Sequence, residues 1–234
     1  MYYPYYYAMD PTYLLLIAGM LISLAARALV GSVTRRYADV PARCGLTGAQ
    51  LARQMLDDEG LSDVAIERVP GELTDHYDPS SRTLRLSQAV ADARSITALG
   101  VAAHESGHAL QHRDAYAPLV LRTAAVSTVN IGSQLSWPLV LLGLVFSWQP
   151  LITAGIALFS LVVLFTLITL PVEFNASRRA LATLEGRGYL DAEEMTGARK
   201  VLSAAAMTYV AAALTAVLQL LRLLALSGRG RRRS

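Results

Sequence analysis

Residues 151–172 read LITAGIALFSLVVLFTLITLPV, a stretch of 22 residues without a charged side chain. An α-helix rises about 1.5 Å per residue, so this stretch can cross the roughly 30 Å hydrocarbon core of a bilayer. Further apolar segments lie at residues 12–33, 118–146 and 201–226. Their lengths predict a mainly α-helical membrane protein with three or four transmembrane or membrane-packed helices.

The composition of the whole chain agrees with this class. Of 234 residues, 53% are hydrophobic, and the mean hydropathy is +0.37. The net charge of +3 owes much to the C-terminal arginines, which are Arg222, Arg229, Arg231, Arg232 and Arg233. A basic cluster beside a long apolar segment is typical of a membrane surface, so a lipid bilayer and not nucleic acid is the predicted partner. The single cysteine, Cys44, excludes an intrachain disulfide and indicates an isolated thiol.

A polar region, residues 34–117, separates the first two apolar segments. Thr47 predicts the N-cap of a helix that runs to about Glu59 and ends at Gly60. Residues 64–69, 73–77 and 82–87 favour strands of a small sheet, since the last of them alternates apolar and polar side chains. Strand 82–87 is either the sheet edge along which an extended peptide binds or an ordinary hairpin strand.

The polar region ends in a helix with the pattern HESGHALQH, residues 104–112. Helical residues four apart lie about 40° apart around the axis and about 6 Å along it, so His104 and His108 can bind one ion. His112 lies about 12 Å from His104 along the axis and is set aside. Glu105 lies about 100° from His104, close enough to act on a water without binding the metal. This H-E-x-x-H arrangement predicts one Zn²⁺ ion with Glu105 as general base.

A catalytic zinc normally has three protein ligands, and the sequence offers two candidates for the third. Asp114 stands where metzincins place this ligand, but Gln111 replaces the glycine at which their helix breaks. Glu173 follows the apolar stretch 151–172, and Pro171 predicts the first turn of a new helix there. Two apolar segments separate His104 from Glu173, and a membrane hairpin would return the chain to the same side. The residues alone favour Glu173 and leave Asp114 open.

Several separated motifs resemble the YugP-type neutral zinc metallopeptidases of bacterial membranes. The likeness runs from about Thr12 to Leu224, and the motifs are HYDP (76–79), AAHESGHALQH (102–112), PVEFNASRRAL (171–181) and VLSAAAMTYVAAAL (201–214). The chain is more distantly similar to HtpX-like and CAAX-prenyl proteases. The resemblance implies His104, His108 and Glu173 as zinc ligands and Glu105 as base. Ser177 stands where the distant relatives have an aspartate, which puts any role of that carboxylate in doubt.

The activity implied is that of a membrane-bound, gluzincin-like zinc metalloendopeptidase, which hydrolyses peptide bonds by zinc-activated water. Its substrate would be a peptide or protein, including membrane proteins. The negative oxygen that develops on the substrate carbonyl needs a hydrogen-bond donor besides zinc. The candidates for this donor or for a substrate contact are His76, Tyr77, Arg178 and Tyr209.

Other functions stay open on the sequence. A zinc-binding membrane protein without protease activity, such as a chaperone-like or metal-handling subunit, would not need Glu105. An intramembrane zinc protease would place the motif inside the bilayer, but the charges around it enclose only 18 residues, and no L-D-G ligand stretch exists. A structural membrane protein with incidental histidines would bind no zinc.

Topology follows from the distribution of arginines. The first segment is predicted to be an uncleaved anchor, because residues 1–11 contain no cation, whereas Arg27, Arg35 and Arg36 lie towards or beyond its far end. The positive-inside rule then predicts a multi-pass protein of the cell membrane with its catalytic site in the cytoplasm. A fully spanning last segment would put the arginine tail outside, so this segment either packs without crossing or is an exception to the rule.

These predictions divide the chain into five parts. They are an anchor helix (1–33), a zincin-like catalytic region with the H-E-x-x-H helix and the small sheet (34–117), a membrane hairpin (118–172), a helix with the third ligand (173–200), and an apolar helix with a basic tail (201–234).

Overall fold

The computed structural model describes residues 10–230, which form seven helices and three strands. The helices are α1 (Tyr13–Ala38), α2 (Gly48–Asp58), α3 (Gln88–Ala91), α4 (Ile96–Arg113), α5 (Ala117–Val145), α6 (Gln149–Gly186) and α7 (Ala192–Gly230). The strands are β1 (Ala65–Val69), β2 (His76–Asp78) and β3 (Thr83–Ser87). The predicted mainly α-helical fold with a small sheet is confirmed. Residues 1–9 and the tail arginines Arg231, Arg232 and Arg233 lie outside the described residues.

Four helices within the described range are long and apolar enough to cross a membrane, namely α1, α5, α6 and α7. They match the four apolar segments of the sequence, apart from residues 12 and 146 at segment ends, so the prediction of three or four such helices is confirmed. Many of their large apolar side chains are exposed, among them Leu14, Ile131, Leu164 and Leu221. Exposed apolar surface on long helices is what a hydrocarbon environment requires.

Helix α6 differs from the prediction at Pro171. A new helix was expected to begin there, but α6 runs without interruption for 38 residues, from Gln149 to Gly186. Proline removes one backbone hydrogen bond, and membrane helices tolerate this loss because neighbouring helices satisfy the freed groups. Glu173 therefore lies in the middle of a long helix.

The chain divides into two compact units. Within the described residues, unit 1 consists of residues 10–25, 125–167 and 211–230, and it packs around Val140, Phe159, Val163 and Leu223. Unit 2 consists of residues 26–124 and 168–210. It contains the sheet, α2, α3 and α4, together with the adjoining parts of α1, α5, α6 and α7. All residues discussed below as a site belong to unit 2.

The sheet corrects one prediction. Its strand order is β1-β3-β2, with β1 parallel and β2 antiparallel to β3. Strand β3 is the central strand, so the proposal that residues 82–87 form a free sheet edge is wrong. The alternation of side chains in β3 identifies the strand but does not determine its neighbours, because pairing order depends on contacts distant in sequence.

Local signals fix the elements that carry the site. Thr47 and Gln50 form a reciprocal capping box at the start of α2, and Gly60 after that helix has φ of +72°. Ser95 caps α4 by accepting a hydrogen bond from the backbone N–H of Ala98. The apolar side of α4, with Leu99 and Ala103, packs in a cluster with residues of α2, α6 and α7. This packing orients the opposite side of α4, which carries the histidines.

Candidate metal centre

Three metal-binding side chains converge between α4 and α6. The Nε2 atom of His104 lies 3.1 Å from Oε2 of Glu173, and the Nε2 atom of His108 lies 3.6 Å from the same oxygen. The ligand atoms of His104, His108 and Glu173 all lie within 4.8 Å of one another. Glu173 is almost fully buried, at 2% exposure. A buried carboxylate facing two imidazoles is costly unless a cation or proton compensates its charge.

This arrangement fits a zinc ion. Tetrahedral bonds of about 2.0–2.1 Å place two ligand atoms about 3.3 Å apart, close to the distances of 3.1 and 3.6 Å. Two histidines and one glutamate are also the ligand set of a class of zinc hydrolases. The structure therefore brings together the three residues predicted as ligands from the sequence and the resemblance.

Gly107 permits the close approach of the two helices. A Cβ atom at this position would lie 2.6 Å from the backbone oxygen of Ala176 on α6. Such a contact is too short for carbon and oxygen, so a larger residue would push α6 away from α4. The glycine inside the H-E-x-x-H motif thus sets the distance between the histidines and Glu173.

Hydrogen bonds orient both imidazole rings. Nδ1 of His108 lies 2.9 Å from Oε1 of Gln111. An amide oxygen can only accept a hydrogen bond, so Nδ1 donates, and Nε2 of the neutral ring is available to a metal. Gln111 is fully buried, and its Nε2 donates to the carbonyl of Val172 and to Asn175. Nδ1 of His104 lies 3.1 Å from Oγ of Ser177. Ser177 thus contacts the ring of His104 from α6.

Arg122 contacts the cluster, although the sequence did not predict it as a candidate site residue. Its Nη1 lies 3.1 Å from Oε1 of Glu173, the oxygen that does not face the histidines. Arg122 reaches this carboxylate from α5, the first helix of the hairpin. The available signal was a cation inside an apolar segment, which usually has a partner or a function.

Glu105 and Tyr209 line one cavity next to His104. Glu105 is buried, and its charge acts on His108 and on Tyr209. The Tyr209 phenol also interacts with the carboxylate of Glu173. Burial favours the neutral ring of His108, but its hydrogen bond to Glu173 and the charges of Glu105 and Glu173 raise its pKa. A metal is bound by the neutral ring, so zinc and a proton compete for His108.

The other predicted contacts are engaged elsewhere. The Tyr77 hydroxyl lies 2.8 Å from Nδ1 of His112, which connects β2 to the end of α4. The ring of His76 is bonded to the carbonyl of Thr74 and is exposed. Arg178 is exposed on α6. Of the four candidate donors, the cavity is lined by Tyr209 and not by His76, Tyr77 or Arg178.

Asp114, the alternative third ligand, is not part of the cluster. Its carboxylate pairs with Arg113 and with Arg179 of α6, and these hydrogen bonds lower its pKa. It caps the C-terminal end of α4. Cys44 is exposed, in agreement with an isolated thiol.

The sequence profile of the family described as "Putative neutral zinc metallopeptidase" matches residues 12–228. The chain belongs to this family. A member of Bacillus subtilis strain 168, named "Putative membrane protease YugP", is 49% identical over 217 residues, which are 93% of this chain and 96% of that protein. No solved structure matches the chain. The resemblance seen in the motifs is confirmed.

Membership in the neutral zinc metallopeptidase family establishes the function at a coarse level. The chain is a zinc peptidase of this family, and its four apolar helices make it a membrane protein. Within the described residues, His104, His108 and Glu173 form a cluster that could hold a metal ion. A structural membrane protein with incidental histidines does not agree with this membership.

Proposed function

We propose that this protein is a membrane-bound zinc metalloendopeptidase in which His104, His108 and Glu173 bind one zinc ion. One observation carries the proposal: Glu173 on α6 meets both histidines of α4 at 3.1 and 3.6 Å, although a membrane hairpin separates them in sequence. Glu105 lies beside this cluster and lines a cavity that can accept substrate.

Bound zinc would polarise the peptide carbonyl and lower the pKa of water to about 7. Glu105 would accept a proton from the attacking water and deliver it to the leaving amine. The Tyr209 hydroxyl, on the same cavity, would donate a hydrogen bond to the developing oxyanion.

Arg122 gives the two carboxylate oxygens of Glu173 different partners. Oε1 is paired with the guanidinium, so only Oε2 faces the imidazoles. We propose that this pairing makes Glu173 a one-oxygen ligand and compensates part of its buried charge. Arg122 is thus a positioning residue that acts through Glu173.

The proposed site faces the cytoplasm, with α7 crossing the membrane beside α1. In unit 1 the Thr215 hydroxyl donates to the Gly19 carbonyl, and the Arg222 guanidinium lies 5.3 Å from the centre of the Tyr13 ring. Residue 222 thus reaches the level at which α1 begins, which favours full crossing over the packed alternative. The arginine tail is then an exception to the positive-inside rule. A reporter fused after Ser234 should be active outside the cell, and a cytoplasmic reporter would contradict this topology.

Glu105→Gln tests the proposed activity. Zinc content and peptide cleavage should be measured on the full chain purified in detergent. We expect the variant to retain zinc and to lose cleavage by about 10²–10⁴-fold, the usual contribution of a general base. Cleavage at the wild-type rate would contradict the role of Glu105. A wild-type protein that binds one zinc and cleaves no peptide would instead support the metal-handling alternative.

A further inference from the structure

A cavity of about 250 Å³ opens beside the proposed catalytic residues. Its walls come from α1, from the segment before β2, from α4 and from α7, and they include His104, Glu105 and Tyr209. Pockets that enclose whole small-molecule ligands usually measure about 300–1,000 Å³. This cavity is smaller and matches part of a substrate, such as one side chain.

Most of the cavity wall is apolar. Val30, Val101, Val201, Leu202 and Ala205 come from three different helices and present only aliphatic groups. Burying a large aliphatic side chain against such a wall is favourable, whereas an unpaired charge would lose its hydration there.

The polar groups of the cavity have other roles or partners, so the apolar wall determines which side chain the cavity prefers. His104, Glu105 and Tyr209 belong to the proposed catalytic group and would meet the peptide backbone. Asp75 accepts hydrogen bonds from the backbone N–H and the hydroxyl of Ser87, at 2.7 and 3.0 Å, so its charge is already solvated by the protein. A cationic side chain would have to give up its hydration to enter this mainly apolar cavity, where Asp75 is already hydrogen-bonded to Ser87.

Helix α1 is part of this wall and not only an anchor. Val30 and Thr34 lie about one turn apart on α1 and both face the cavity. The Thr97 hydroxyl at the start of α4 donates to the carbonyl of Thr34 at 2.9 Å. This bond fixes the end of α1 against the helix that carries the histidines, so the wall is formed before substrate binds.

We infer that this cavity binds an apolar side chain next to the scissile bond of a peptide substrate, and that α1 and α7 determine its preference. The inference rests on the proposed peptidase function. It predicts that the protein selects aliphatic residues such as leucine over glycine, aspartate or lysine at one position adjacent to the cleaved bond.

The preference can be measured by binding, without cleavage. The zinc-loaded, full-length Glu105→Gln protein in detergent is titrated with fluorescent Gly/Ser peptides that differ in one guest residue: Leu, Gly, Asp or Lys. We expect the leucine peptide to bind at least about tenfold more tightly than the others. Equal binding of all four, or tighter binding of the lysine peptide, would overturn the inference.

Two substitutions that fill the cavity locate the preference. Ala205→Leu on α7 and Val30→Phe on α1, each made in this background, should reduce the ratio of leucine to glycine affinity towards one. Their controls, Ser203→Leu and Leu29→Phe, add comparable bulk on exposed positions of the same helices and should leave the ratio unchanged. An unchanged ratio in both cavity variants would place the side-chain site elsewhere.

A substitution that enlarges the cavity distinguishes a change of preference from a folding defect. Val30→Ala should shift the preference from leucine towards phenylalanine, a gain that misfolding does not produce, and its absence would contradict the role of α1. Zinc content is measured on every variant. Cleavage of the leucine peptide by the wild-type protein is a separate readout: its failure would contradict the peptidase function, while the binding preference would stand or fall alone.

Discussion

Unit 1 and unit 2 differ in the contacts that hold their helices together. In unit 1 the contacts are mainly aliphatic and aromatic, around Phe159 and Leu223, with a few hydroxyl and amide hydrogen bonds. Unit 2 also buries ionisable groups, including Glu105, His108 and Glu173, and ion pairs link its elements. Helices α1, α5, α6 and α7 each contribute residues to both units, so these two kinds of contact occur along the same helices.

The difference shows where the chain accepts an energetic cost for function. Lipid-facing helices need only internal backbone hydrogen bonds and close packing. Unit 2 keeps a carboxylate at 2% exposure between two imidazoles and a guanidinium, which is unfavourable unless all partners are present. Removing one partner should therefore have a larger effect in unit 2 than removing a contact in unit 1.

The largest effect is expected for Glu173→Ala. This change removes a proposed ligand and leaves Arg122 without its partner, so zinc affinity should fall by more than the roughly 10–100-fold that loss of an outer hydrogen bond costs. Asp114→Ala is the control, because Asp114 pairs with arginines outside the cluster. Competition with a zinc chelator measures both. Loss of metal in the control but not in Glu173→Ala would reverse the ligand assignment.

Gly107→Ala should come next. Its added methyl group meets the carbonyl of Ala176 at 2.6 Å, so α4 and α6 must separate, at a cost of about 2–3 kcal/mol in the free energy of unfolding and with weaker zinc binding. Gly100→Ala on the same helix is the matched control, since the nearest atom there is 3.9 Å away. Thermal unfolding with and without zinc compares the two. Equal stability of both variants would show that the close approach is not needed.

Arg122→Met should weaken zinc binding by about tenfold, because Glu173 loses the partner that holds its Oε1. Arg122→Lys should restore part of the affinity, since charge is kept but the geometry of the guanidinium is lost. Cobalt substitution adds a readout, because the absorption spectrum of Co²⁺ responds to the coordination of the carboxylate. Arg178→Met on the exposed side of α6 should change neither affinity nor spectrum, and an equal effect there would contradict the positioning role.

The smallest effect is expected in unit 1. Thr215→Val removes the hydrogen bond of Thr215 to the carbonyl of Gly19 and its contact with Ser23, and membrane hydrogen bonds of this kind are worth about 0.6 kcal/mol. Zinc affinity should not change. Thr153→Val is the control, because that hydroxyl bonds only within its own helix. A loss of zinc in Thr215→Val would contradict the expectation that this contact of unit 1 does not affect the proposed metal centre.

Much of the fold could be predicted because long apolar runs and caps are local signals. The four membrane helices, the helix capped by Thr47 and the three strands are all visible in residue patterns. The central position of β3 and the continuity of α6 through Pro171 were not, since both depend on neighbours distant in sequence.

Those parts of the candidate site that depend on the spacing of residues along the sequence could be predicted. Helix geometry predicts that His104 and His108 lie on one face. The two apolar segments between His104 and Glu173 predict that the chain returns to the same side of the membrane. Arg122 and Gln111 were missed as site residues because their roles depend on contacts with α6 rather than on a motif. The same holds for the cavity, whose walls come from four separate stretches of the chain.

The division of the proposed ligands between α4 and α6 has a consequence for the synthesis of the protein. During synthesis the histidines of α4 emerge long before Glu173, which follows the whole of α5 and the first part of α6. The proposed centre can therefore form only after the hairpin has inserted and α6 has returned. A chain that is incomplete or wrongly inserted would lack the residue proposed to complete the centre, so metal binding would depend on correct membrane insertion.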